Sequence, residues 1–322
     1  MQRNDIQTQE RQLSRRSKTS IADILEALEP SRYFERIGFG LYPWQEYVFN
    51  LIAKGCSTIA INGARQAGKS TIVAGLPVQA ESRFSDGKKN NYSLVFASSE
   101  DQASLVIRKA YDFIIADKRL SIDTAGSDHI VFGTGGTIKA LPSTEKTVRG
   151  HSSPLFIIMD EAARMPDELV YAVSPMTVDN PKCSTVYIST PAGKRGVFWH
   201  LWNNPSIARV EVKAPWDIIR DSRGPRIVRA EPEEAYQAHK AKEGIAGFYS
   251  PRHHSLKFMT DQLDLMGERW VRQEYLCEFV ESEDSVFRYD DIDRAIEAGK
   301  EVVPLFSDAI PIAETLFAGG PE

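Results

Sequence analysis

The sequence predicts an α/β fold with a mostly parallel central sheet flanked by helices. Three observations predict it. Residues 57–71 read as a β-branched apolar strand, a turn with two glycines, and Lys69-Ser70-Thr71 opening a helix. Residues 155–161 are five apolar residues ending in Asp160 and Glu161, the pattern of a buried parallel strand with an acidic tip. Residues 92–97 and 184–189 are two further apolar runs of strand length. The first stretch carries the chemistry. Gly63, Gly68, Lys69 and Ser70 satisfy G-x-x-x-x-G-K-[ST], between a strand and a helix as the motif requires. The glycines let the backbone N–H groups turn inward on a phosphate chain, and the following helix aims its positive end at the same anion. Lys69 then reaches the outer phosphates of ATP, and the Ser70 hydroxyl ligates Mg²⁺. The candidate nucleotide contacts are Gly63, Arg65, Gln66, Ala67, Gly68, Lys69, Ser70 and Thr71, and the fold class is that of a P-loop NTPase.

The 322 residues, 42% hydrophobic and 26% charged, suit one large α/β domain with additions or two modest ones. No run approaches the roughly 18–20 apolar residues of a membrane span, and the polar start of the chain shows no secretory signal. Cys56, Cys183 and Cys277 have no metal or disulfide spacing and fit a reducing compartment. A net charge of −5 does not suit a surface that wraps nucleic acid as a whole, so any DNA contact has to come from a local basic patch.

Taken in order, residues 1–19 read as a flexible basic arm and Ser20 as the cap of a helix that Pro30 ends. Leu41-Tyr42-Pro43-Trp44-Gln45 precedes an apolar helix. The Gln45 amide has the donor and acceptor that the adenine edge needs, and Tyr42 or Trp44 can stack on a base; the other reading is an aromatic helix start packed in the core. Ser98 or Ser99 caps a helix to about Ala116. Residues 129–141 read as a hairpin around Gly133-Thr134-Gly135-Gly136, a turn and not a second phosphate loop. Asp160 is the expected Mg²⁺ ligand and Glu161 the group that polarises the attacking water. Ser189-Thr190 is either a γ-phosphate sensor that couples hydrolysis to movement or a strand cap. Val210 to Ala214 is expected to close the sheet. The segment 217–232, with Arg220, Arg223, Arg226 and Arg229, reads as a solvated loop broken by Gly224-Pro225, and helices follow over 232–243 and about 256–279, the latter broken near Gly267. His253 and His254 have no partner at ligand spacing, so no metal site is expected there.

Together the motifs resemble the ATPase domain of phage terminase large subunits. The resemblance runs from about Leu41 to about Phe287. It rests on Pro43-Trp44-Gln45, the arginine-bearing loop Ala64-Arg65-Gln66-Ala67-Gly68-Lys69-Ser70, the glycine-turn hairpin, Arg149-Gly150, the Asp160-Glu161 strand, Ser189-Thr190-Pro191 and the late run Trp270-Val271-Arg272-Gln273-Glu274-Tyr275. The family implies an additional-strand (ASCE) P-loop ATPase that pumps double-stranded DNA into a procapsid. The implied setting is the host cytoplasm, as a homo-oligomeric ring, pentameric on the portal protein and monomeric in isolation, working with a small terminase subunit and no membrane. It implies ATP and Mg²⁺ as cofactors, Gln45 as adenine motif, and Ser189 and Thr190 as coupling motif. Two arginines compete as finger on the γ-phosphate: Arg149 in trans, which is favoured, and Arg65 in cis, read as a sensor of nucleotide state.

The expected organisation is an arm over 1–19, an ATPase core over 20–215, a helical lid or linker over 216–287 and a linker over 288–322. The family's nuclease carboxylates have no counterpart in 288–322, so no nuclease activity is expected of this chain. The competing readings are a helicase-type translocase, for which the region after the sheet is too short to hold a second motor domain, and a nucleotide-binding module without turnover, against which the intact Lys69, Ser70, Asp160 and Glu161 argue.

Overall fold

The computed structural model describes residues 25, 26, 28–84, 91–143, 153–178, 180–251 and 254–281. The arm, the C-terminal linker, most of the helix expected from Ser20, and the Arg149-Gly150 motif lie outside the described residues. One compact unit runs from Met1 to Val280; the second, Glu281–Glu322, is described only at Glu281.

The strands are β1 (Thr58–Gly63), β2 (Tyr92–Ala97), β3 (Ile122–Ala125), β4 (His129–Phe132), β5 (Thr137–Pro142), β6 (Phe156–Asp160), β7 (Ser184–Ser189), β8 (Ala208–Lys213), β9 (Trp216–Asp221), β10 (Gly224–Arg229) and β11 (Ala246–Tyr249). Nine of them form one sheet in the order β11-β8-β1-β7-β6-β2-β5-β4-β3. The pairings from β11 through β5 are parallel, and β4 and β3 continue it antiparallel. β7 sits between β1 and β6, the additional-strand arrangement of the P-loop NTPase fold.

The central strands are buried on both faces, which is why their sequences run apolar without alternation. Successive side chains still point to opposite faces. Ile59 and Ile61 join a core under the helices α1 (Ser31–Arg36), α2 (Pro43–Ala53), α3 (Lys69–Phe84) and α4 (Glu100–Ala116); Ala60 joins the opposite core under α5 (Asp167–Val173) and α6 (Gly196–Trp202). Each large side chain fully buried there contributes about 1.5–3 kcal/mol. α4 starts as expected, with Ser99 accepting from the Gln102 N–H at 3.2 Å and two acids in its first turn.

Two expectations are corrected. Residues 217–232 are not a loop: β9 and β10 form a hairpin in which the buried Ile218 and Ile227 face each other. Its arginines are partnered locally. Arg220 pairs with Glu268, Arg226 with Asp221, and Arg229 lies over Trp216. Nor does β8 close the sheet. After α7 (Glu233–Lys242) the chain returns as β11, parallel to β8, so residues beyond 215 belong to the ATPase sheet and the region is not purely helical. α8 (Leu256–Glu274) breaks at Gly267 (φ 79°) as expected and packs with the hairpin in a third small core. Among the described residues no helix is long and apolar enough to cross a membrane.

The end of α4 is anchored by charge. Arg36 donates to both oxygens of the buried Asp117, at 2.8 and 2.9 Å. Burial pushes the Asp117 carboxyl up, but the bonds from Arg36 and Arg119 outweigh it and hold it below the ordinary carboxylate value. The stability it adds is present above the ordinary carboxylate value and is lost as pH falls below that value through the lower folded one. Asp117→Ala, which leaves Arg36 with Glu26 as its remaining acid, is expected to cost about 2 kcal/mol at neutral pH. Urea melts at pH 7 and pH 3.5 check this: the gap between wild type and variant should narrow at the acid value, and an equal gap at both would rule out the charge pair as its source.

Candidate active site

The site lies at the C-terminal ends of β1, β6 and β7. Pairing sets them level, with Asn62 opposite Ser189 and Asp160 opposite Ile188. A cleft of about 610 Å³ opens there, and Arg65, Gln66, Gly68, Lys69, Ser70, Thr71, Asp160 and Glu161 line it together with Tyr42 and Lys109. The sequence-predicted phosphate loop and acidic strand tip thus meet in one cavity. A second, smaller cavity of about 270 Å³ lies at the opposite ends of the same strands and gathers no such groups.

The loop is held from behind. Trp44 Nε1–H donates to the Ala67 carbonyl at 3.2 Å, and Gln45 Nε2–H to the Gly68 carbonyl at 3.0 Å. Gly68 has φ 95°, and a Cβ there would lie 2.8 Å from Gln45 Nε2, so only glycine fits. Lys69 Nζ donates to the carbonyls of Gly63 and Ala64, at 2.9 and 3.4 Å. Gln45 itself is only 1% exposed, and its Oε1 accepts from the Tyr42 N–H at 2.9 Å. Both ends of its amide therefore brace the protein, which is not the open adenine contact expected from the sequence. Trp44 is a core residue, and Tyr42 is the aromatic at the cleft.

Asp160 ends β6 beside Glu161, whose backbone is left-handed (φ 58°, ψ 40°). Burial and the neighbouring Glu161 push the Asp160 carboxyl up to about 6, with Lys69 opposing. Ser189 Oγ donates to the Thr190 carbonyl at 2.6 Å and lies 3.4 Å from Glu161 Oε2. Thr190 Oγ1 accepts from Arg164 at 2.9 Å. The two hydroxyls of the expected coupling pair thus sit on the Glu161 side of the cleft. Arg65, at the cleft, is engaged with α8: its guanidinium, 61% exposed, forms a 2.9 Å ion pair with Glu274, and its backbone N–H donates to the Glu274 carbonyl at 2.8 Å. Arg149 lies outside the described residues.

Sequence reasoning missed three residues. Arg164 bridges Glu161, Thr190 and Glu274. Glu274, quoted only as part of the late run, is the acid that receives both arginines. Lys109, on α4, donates to Ser70 Oγ and Thr71 Oγ1 at 2.9 and 3.1 Å. Arg164 had a weak signal, three positions after an acid; Lys109 had none, because the fold alone brings α4 to the loop.

The donors present fit a magnesium ion bound with a nucleotide. Mg²⁺ takes one or two protein oxygens and completes its shell from phosphate and water, and Ser70 Oγ and the Asp160 carboxylate supply such a pair. Among the described residues no group of three or more His, Cys, Asp or Glu side chains makes an all-protein cage.

Residues 40–199 match the family described as terminase large subunit, ATPase domain. They are a terminase large subunit ATPase domain. One solved structure supports the fold, and two more are similar at lower scores. The large terminase ATPase domain of Thermus phage P74-26 superposes with a TM-score of 0.53 at 15% identity, over 77% of this chain and 97% of that one. The large terminase of bacteriophage HK97 gives 0.49 at 18% identity, over 87% of this chain and 52% of that one. A large terminase from a thermophilic bacteriophage, in complex with ADP, gives 0.46 at 10% identity, over 81% and 54%. Against the latter two, this chain aligns with little more than half of the terminase length. No curated protein sequence matches.

The raised Asp160 value makes a prediction for the terminase domain without metal. Unfolded, this carboxyl ionises near 3.8; folded, only near 6, so stability is lost as pH rises through that window. Asp160→Asn should therefore stabilise the chain by about 2–3 kcal/mol at pH 8 and by little at pH 4. Thermal melts in EDTA across that range measure it, and a variant no more stable than wild type at pH 8 would contradict the burial argument.

Proposed function

We propose that this chain is the ATP-hydrolysing motor of a viral terminase and drives double-stranded DNA into a procapsid. The observation that carries the proposal is the meeting of Lys69 and Ser70 with Asp160 and Glu161 in one cleft. Phosphoryl transfer to water needs the γ-phosphate held, its charge stabilised and the water oriented. In this reading the loop N–H groups and Lys69 hold the phosphates of ATP, and Ser70 and Asp160 hold Mg²⁺. When bound, that ion neutralises charge on the outer phosphates. Glu161 orients the water that attacks in line.

The remaining assignments follow the family. Arg149, presented to a neighbouring subunit, supplies the transition-state charge, and Arg65 senses nucleotide state; its pairing with Glu274 suits a residue that changes partner when phosphate arrives. Ser189 and Thr190 couple hydrolysis to movement. Gln45 steadies the loop and meets adenine only if its two internal bonds are exchanged. The motor works in the host cytoplasm as a ring docked on the portal protein, with a small terminase subunit delivering DNA.

Steady-state ATPase rate against protein concentration is the test, with Glu161→Gln as the blank. A rate per subunit that climbs with concentration, and an Arg149→Ala variant that abolishes the climb, is the expected result; the loss should be about 10³-fold or more, the size of an arginine-finger effect. A flat rate would move the finger to Arg65 in cis. No turnover above the Glu161→Gln blank, with nucleotide still bound, would replace the motor reading by a binding module.

A further inference from the structure

The late run of the sequence has a structural role that the nucleotide site does not require. After α8 the chain is laced onto β1 and the phosphate loop. Asn62 Nδ2–H donates to the Cys277 carbonyl at 2.8 Å, and the Arg65 N–H to the Glu274 carbonyl at 2.8 Å. The Glu274 side chain is 3% exposed, and a carboxylate so buried is costly unless it is paired. It faces Arg65 through Oε2 and accepts from Arg164 Nη2–H through Oε1 at 3.1 Å, with Gln273 Nε2–H on the same oxygen at 3.2 Å.

Arg164 carries the connection onward. Its Nη1–H donates to Glu161 Oε2 at 2.9 Å and to Thr190 Oγ1 at 2.9 Å. One guanidinium thus spans the loop after β6, the loop after β7 and the end of α8. A rigid planar fork can make these bonds at once, and an ammonium on a flexible stem cannot hold the same geometry. The bond to Glu161 from Arg164 falls on Oε2, and Ser189 Oγ lies 3.4 Å from the same oxygen. Its Oε1 accepts no bond among the described residues. The Glu161 backbone sits in a left-handed conformation that costs a residue with a side chain on the order of 1 kcal/mol and persists only where the surroundings fix it.

We propose that Arg164 is the positioning residue for Glu161: anchored by Glu274 on α8, it fixes one carboxylate oxygen and leaves the other to orient the attacking water. The inference rests on the proposed ATPase function. It adds that the end of α8, far along the chain from the acidic strand, sets the orientation of the group that polarises water. Any displacement of α8 then reaches Glu161 through two bonds, Glu274 to Arg164 and Arg164 to Glu161.

Four variants of the chain test it: Arg164→Gln, Arg164→Lys, Glu274→Gln and the Arg164→Gln/Glu274→Gln double. ATP turnover gives kcat and KM, and a fluorescent ATP analogue gives affinity. Arg164→Gln should lower kcat by about 10- to 100-fold and leave KM and analogue affinity within about twofold, because it disturbs a group used only in the transition state. Arg164→Lys should recover part of the loss, since charge returns without the fork. Glu274→Gln should lower kcat by a smaller factor, and the double variant should be no slower than Arg164→Gln alone, as for residues acting in one chain of contacts. A kcat for Arg164→Gln within twofold of wild type overturns the inference. So does a fall in kcat matched by an equal loss of affinity, which would mark a structural prop, and so do additive effects in the double variant, which would mean that Glu274 acts through Arg65. A wild-type chain without turnover would remove the proposed function and this inference with it; a wild-type chain that turns over beside an unaltered Arg164→Gln removes the inference alone.

Discussion

The parallel pairing of β7 with both β1 and β6 is the constraint on which the site depends. It puts the strand bearing the phosphate loop and the strand bearing the acids two strand spacings apart, about 10 Å. That gap is wide enough for a phosphate chain and a metal ion between Lys69 and Asp160, and too wide for the two groups to cancel each other directly. The pairings also hold the tips level, so a slip of one residue in either register would carry Asp160 or Ser189 to the wrong face. Burial on both faces makes such a slip costly, and so the hydrophobic core fixes the chemistry.

Around this frame the charged groups neutralise one another. Glu161, Glu274, Arg65 and Arg164 form a quartet with no net charge, at the edge of the cleft and not in its floor. Asp160 has no counter-charge in the quartet: its neighbour Glu161 pushes its carboxyl up, and Lys69 is its opposing charge. The division has a physical logic. A metal ligand benefits from a carboxylate that is poorly satisfied until a cation arrives, whereas a group that orients water benefits from being held still.

Much of this was legible in the sequence because the central strands and the loop obey local rules. Continuous apolar runs such as residues 155–159 leave no doubt about burial, and the glycine spacing from Gly63 to Gly68 has a backbone reason. The hairpin β9–β10 was missed because each strand buries one residue, Ile218 or Ile227, too little to show a period of two, while Gly224-Pro225 and the charged residues around them read as a loop. β11 is four residues long and carries its own signal poorly; it becomes a strand because β8 offers it an edge. The partnership of Gln45 with Gly68, and of Arg164 with Glu274, joins residues 23 and 110 positions apart, and no local pattern encodes a contact of that reach.

The order of strands also governs how the chain is made. β1 is an apolar strand that stays bare on both edges until β7 and β8 exist, since its partners Thr185 and Ala208 come more than 120 residues after Thr58. At a synthesis rate of roughly 5–20 residues per second, the phosphate-loop strand waits on the order of ten seconds beside the ribosome with its hydrogen-bonding edges open. Non-local parallel pairing of this kind forms slowly even once the whole chain is available. The strand that carries the phosphate loop is therefore also a segment open to aggregation while the chain is being made.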